Sequence, residues 1–216
     1  MKHFKPSYKL IILLMLLFSS KEGWSQHSLF RSFLSVSSAE KGWVVKHPFI
    51  AKKAWAITER VRFVTDSLKQ LAVPDQDASG GKLDAFRHSF WMASLTQKIG
   101  SGRALSLGRA HERGNYRDFK RKRFEEGDIP DKAAGEMDLY NNGIGSAIGT
   151  ELKESNEKNI IETVLLSIHA GKMKVILKDI EGRSCDSLMQ PIPVSLMKGR
   201  WNTPRVLVAS DFKFSK

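Results

Sequence analysis

The sequence predicts a mainly α-helical fold: a compact bundle of about five helices with a small β-containing appendage at the C-terminus. Three observations lead there. Apolar residues recur at intervals of three and four through most of residues 47–170, the period of helices that bury one face. Glycine and proline punctuate that stretch where helices should stop. Beyond Gly171 the apolar period shortens to two, which belongs to strands.

The elements follow in order. Lys2, Lys5 and Lys9 precede an unbroken apolar run, Leu10 to Phe18, and small residues Gly23 and Ser25 follow it. Basic, apolar and small in that order is a secretory signal, assigned to residues 1–25 with Gln26 as the first mature residue. Nine apolar residues fall well short of the roughly 20 that span a bilayer, so no transmembrane span is expected after cleavage and the protein should be periplasmic or extracellular. Residues 26–46 read as a loose lead-in, Ser-rich with scattered Leu and Phe from Gln26 to Ser38.

The helical domain occupies residues 47–170. Pro48 suits a first helical turn, and Ile50, Ala54, Ile57, Val61 and Val64 then mark one face up to the break at Val73-Pro74. Residues 82–95 lack Gly and Pro and are apolar on more than one side, which predicts a helix buried centrally and closed by Gly100 and Gly102. A shorter helix, Arg103 to Glu112, should end at Gly114. Arg113 to Asp131 reads as a surface excursion that includes the basic run Lys120-Arg121-Lys122-Arg123, most simply a solvated loop, otherwise a guide for phosphate-bearing substrates. Helices from Asp131 to about Ile148 and from Glu151 to Ala170 complete the domain. Residues 171–216 form the appendage, with strand-like runs at Met173–Lys178 and Arg205–Val208.

Lys and Arg number 35 against 23 Asp and Glu, a net charge of +12, so anionic surfaces or substrates should be attracted. Nucleic acid fits that charge, but no motif supports it. Cys185 is the single cysteine, which excludes an internal disulfide.

Three polar clusters interrupt apolar helices. Asp84, Arg87 and His88 lie at offsets of three and four and share a helix face. Burying them is unfavourable unless they are paired, and a structural ion pair with a core histidine is the plain alternative. His111-Glu112 stands near a predicted helix end, where two adjacent side chains can still reach one site. It is not a zincin signature, since Asn115 stands where the second histidine would be. Asp138, Asn141, Asn142 and Gly145 occupy offsets 0, 3, 4 and 7, presenting a carboxylate, two amides and bare backbone. Close helix packing at Gly145 and Gly149, or amides directed at a ligand, would each account for the weak helix formers there.

These motifs, with Trp91 and the preceding His47-Pro48, resemble an uncharacterised bacterial domain-of-unknown-function family found in exported and toxin-like proteins. The resemblance covers about His47 to Thr150 and implies that the positions form one site. It supplies no reaction.

The residues read as the kit of a zinc or similar divalent centre, with Asp84, His88, His111 and Asp138 as ligands and Glu112, Arg87, Asn141 and Asn142 as catalytic groups. A metal-free version keeps Glu112 or Asp138 as general acid while Arg87 holds an anionic group. The leading expectation is an exported hydrolase, with or without a metal, acting on an anionic envelope-type or phosphoester substrate. Its rival is a non-catalytic binding module in which the same residues form a buried structural network.

Overall fold

The computed structural model describes residues 37–121 and 130–213. Within them six α-helices follow one another: α1 (Ser38–Lys46), α2 (Pro48–Gln70), α3 (Lys82–Ile99), α4 (Ser101–Lys120), α5 (Lys132–Glu151) and α6 (Glu157–His169). A two-stranded antiparallel sheet joins β1 (Lys174–Ile176) to β2 (Leu207–Ala209), with Val175 opposite Val208. The fold is mainly α, as the periodicity predicts. Among the described residues no helix is long and apolar enough to cross a membrane.

α3 is the central helix. Leu83, Ala85, Phe86, Phe90, Met92, Ala93 and Leu95 are fully buried on it, because a helix apolar on several sides is stable only with neighbours on several sides. Those neighbours are α2, α4, α5 and α6. Its N-cap, Gly81, has no side chain to offer, so Asp75 caps the helix from the preceding loop by accepting from the Lys82 and Leu83 amides at 3.0 Å each.

Against α3 lies α5, close enough that a Cβ at Gly145 would sit 2.2 Å from the Ser89 carbonyl oxygen, and one at Gly149 2.3 Å from that of Ala93. No side chain fits at either position. Helix packing therefore explains both glycines, and the seam runs beside His88 on α3.

Three departures from the sequence reading have physical reasons. Part of the expected lead-in is α1, begun by a capping box in which Ser37 and Glu40 satisfy each other's backbone amides, and anchored by buried Trp43, whose Nε1 donates to Ser106 Oγ at 2.7 Å. α4 does not stop at Gly114 but continues to Lys120. There the glycine serves as a contact, since a Cβ would meet Ser37 Oγ at 2.3 Å where the start of α1 crosses. α6 begins at Glu157 rather than Glu151, because Asn156 caps it by accepting from the Asn159 amide at 3.0 Å. The predicted signal and residues 26–36 lie outside the described residues, as do Lys122 and Arg123; Lys120 and Arg121 form the exposed end of α4.

The C-terminal sheet is fastened to the helices at several points. Met173, Val175, Ile176 and Leu177 are buried. Asp131, at the N-terminus of α5, accepts from the Ala134 amide at 2.8 Å, pairs with buried Arg205 at 3.2 Å and accepts a hydrogen bond from the Thr203 hydroxyl. Ser210 donates to the Ile168 carbonyl at 2.7 Å.

Candidate functional site

α3, α4 and α5 bring a set of ionisable side chains to one place. Asp84 is fixed first: its Oδ2 accepts from the Gly80 amide at 2.7 Å, and its Oδ1 takes a hydrogen bond from Arg87 Nη2 at 2.5 Å. The i, i+3 and i, i+4 spacing on one helix puts Arg87 and His88 within reach of Asp84, and His88 Nε2 lies 3.6 Å from the same oxygen. From α5, Asp138 Oδ1 approaches Nε2 to 3.4 Å. Asp84, His88 and Asp138 are all buried, and one ligand atom from each lies within 4.8 Å of the others.

Arg87 bridges this cluster to solvent. Its Nη2 is also 3.3 Å from His88 Nε2, and its side chain is 43% exposed where that of Asp84 is 8%. A guanidinium can only donate, so Nε2 acts as acceptor in that contact. Burial, then the charges of Arg87 and His111, push the His88 imidazole well below its ordinary value, against a weaker opposite pull from the neighbouring Asn142 amide. The ring is therefore neutral near pH 7, with its lone pair turned into the cluster.

His111 and Glu112 diverge. Because α4 continues past Gly114, adjacent side chains stay about 100° apart and cannot both enter the cluster. His111 turns toward α1, where its Nδ1 meets Glu40 Oε1 at 3.0 Å; its ring lies edge-on to Trp91 and 6.3 Å from the His88 ring, centroid to centroid. It is thus not part of the close ligand set that the sequence predicts. Burial pulls its pKa down, but the Glu40 hydrogen bond and the charges of Glu112 and Glu40 outweigh that and raise it. Glu40 answers in the opposite sense: burial would raise its carboxyl, yet contacts with His111 and Ser37 bring it down to about 2.

Glu112 faces α5, with Oε2 accepting from Asn115 at 3.2 Å and standing 3.7 Å from where a Cβ at Gly135 would be. Its Oε1 is buried and accepts no hydrogen bond among the described residues. Burial is the largest influence on this carboxyl and raises its pKa, with Asp84 adding to the effect and His111, Asn115 and Arg87 opposing it.

The two asparagines part company for the same angular reason. Asn142 lies beside His88 and packs on Gly108 of α4, with neither amide atom in hydrogen-bond geometry among the described residues. Asn141 points to the sheet: its Nδ2 donates to the Lys174 carbonyl and its Oδ1 accepts from the Lys174 amide, both at 2.9 Å. Both of its amide atoms are thereby engaged with β1, as a strut between α5 and the sheet, and not with the cluster.

Sequence reasoning missed Glu40. Its signal was present, since Ser37 and Glu40 at an interval of three form the capping-box pattern, but the contact with His111 spans 71 residues and no local pattern encodes it. A separate groove of about 540 Å³ is lined by Lys178, Arg183, Arg205, Ile192 and Met197 among others. Its three cations are paired with Asp77, Asp179 and Asp131, and it includes none of the candidate residues.

A model of a domain of unknown function, DUF6973, matches residues 41–172, more than half of the chain, which therefore belongs to that family. No curated protein and no solved structure matches it.

Proposed function

We propose that this DUF6973 member is an exported hydrolase that cleaves an anionic ester, a phosphoester by preference, at the cluster between α3, α4 and α5. One observation carries the reading. A buried network built only to fix helix register would pair its polar atoms, yet Glu112 Oε1 has no hydrogen-bond partner among the described residues, while Arg87 opens the cluster to solvent. An unpaired buried polar atom costs about 1–3 kcal/mol, an expense that a ligand-side partner removes.

Each group has a role suited to its surroundings. The exposed side of the Arg87 guanidinium binds the anionic oxygens of the substrate. Asp84, His88 and Asp138 hold and activate the attacking water, whose oxygen forms the new bond to phosphorus as its proton passes to the cluster. Glu112, its pKa raised by burial, delivers a proton to the leaving oxygen as the old ester bond breaks. The net positive charge draws anionic substrates toward the molecule. Export rests on the basic, apolar and small-residue order of residues 1–25.

The direct test is initial-rate measurement with bis(4-nitrophenyl) phosphate and 4-nitrophenyl phosphate, a diester and a monoester. Arg87→Ala and Glu112→Gln should each lower kcat/KM by about 100-fold or more. A wild-type protein no faster than buffer, or variants as fast as wild type, would defeat the proposal. The rival binding module draws support from the Asp84 and Arg87 ion pair; it requires that His88→Ala destabilise the protein by about 2–4 kcal/mol.

A further inference from the structure

Three acceptor atoms face one another in the cluster. Arg87 Nη2 donates to His88 Nε2 at 3.3 Å, so that nitrogen presents a lone pair, and it presents it 3.4 Å from Asp138 Oδ1 and 3.6 Å from Asp84 Oδ1. A cation among these three atoms would offset their mutual repulsion. In the structure one corner of the Arg87 guanidinium serves two of them, contacting Asp84 and His88 from a side chain that is 43% exposed.

We propose that Asp84 Oδ1, His88 Nε2 and Asp138 Oδ1 form a three-ligand site for a zinc-class divalent cation, with Arg87 as its exchangeable substitute. Tetrahedral coordination with bonds of about 2.0–2.1 Å sets ligand atoms about 3.3–3.4 Å apart, close to the 3.4 and 3.6 Å seen here. An imidazole among the ligands disfavours calcium and magnesium, which take oxygen. The surroundings fit as well: Gly80 holds the second oxygen of Asp84 at 2.7 Å, Asn142 lies against the His88 ring, and three protein ligands leave a fourth position for water. When the ion enters, the guanidinium leaves Asp84 and becomes available to the substrate anion. The inference rests on the hydrolase reading only for the use made of the ion. Binding itself needs no turnover.

Titration calorimetry of the chelator-treated protein with Zn²⁺ tests it. One equivalent should bind; His88→Gln and Asp138→Asn should weaken binding at least about tenfold, and His111→Ala should leave the stoichiometry at one. Arg87→Gln is the sharpest variant, because removing a competing cation should tighten binding several-fold. Absence of stoichiometric binding, full affinity in the His88 and Asp138 variants, or weaker binding in Arg87→Gln would overturn the proposal. Should a ligand variant fail to fold, Co²⁺ loading of the wild-type protein provides a second measurement. Intense visible ligand-field bands are expected, and the weak bands of six-coordinate cobalt would count against the site. Zinc binding without ester cleavage would reject the hydrolase and leave the metal site standing, whereas cleavage by metal-free protein that binds no zinc would do the reverse.

Discussion

Replacing Gly145 by alanine sets two effects of opposite sign against each other. Helix propensity alone favours alanine by about 1 kcal/mol, because glycine loses more backbone freedom on folding. The seam opposes it: the new methyl would lie 2.2 Å from the Ser89 carbonyl oxygen and 2.7 Å from its Cα, both backbone atoms that no rotamer change can move. Relief requires α3 and α5 to part by about 1 Å, and overpacking of this kind costs about 1–3 kcal/mol, more where backbone is the obstacle. A net loss of about 1–2 kcal/mol is expected, and the same displacement should stretch the 3.4 Å contact between His88 and Asp138. Gly143→Ala is the matched control, on the same helix with nothing within 4 Å of a Cβ, and should stabilise by about 0.5–1 kcal/mol. Urea unfolding of both variants gives the two values. If Gly145→Ala proved as stable as wild type or more so, the reasoning from close backbone contact would be wrong.

Two further outcomes follow from contacts outside the cluster. Asn141→Ala removes both 2.9 Å hydrogen bonds to Lys174 and should cost about 2–3 kcal/mol, with faster amide exchange in β1 and unchanged exchange in α2; uniform protection would contradict the strut. Glu40→Gln should lower the His111 pKa, read by NMR titration, since burial then acts with less opposition; an unmoved value would deny the contact. The signs fix where the wild-type pair stabilises the protein. The raised His111 value contributes fully below 6.5 and fades as pH rises through the folded value, while Glu40 contributes fully above 4.5 and fades as pH falls toward about 2. Stabilisation by the pair is therefore greatest between about pH 4.5 and 6.5, and the variant's stability profile should flatten there.

What could be read from the sequence was what a helix repeat encodes. Asp84, Arg87 and His88 share a face because offsets of three and four must, and burial of the central helix followed from its apolar breadth. Adjacent pairs were harder. His111 with Glu112, and Asn141 with Asn142, look in different directions, and which member faces the cluster depends on neighbours that only the fold supplies. Gly114 misled because a glycine that ends a helix and one that lets another chain pass are the same letter. Glu40 was hidden by distance along the chain.

Asn141 also bears on where this protein can be cut. The family match ends at residue 172, two residues short of the backbone that Asn141 grips, and begins at residue 41, just past the Ser37 and Glu40 pair that starts α1 and holds His111. A fragment trimmed to the matched span would leave a buried amide without its strand, Asp131 without Arg205, and His111 without its carboxylate. The matched span is thus narrower than the span these contacts tie together, and the ends of a fragment meant to keep the site belong where no hydrogen bond crosses them.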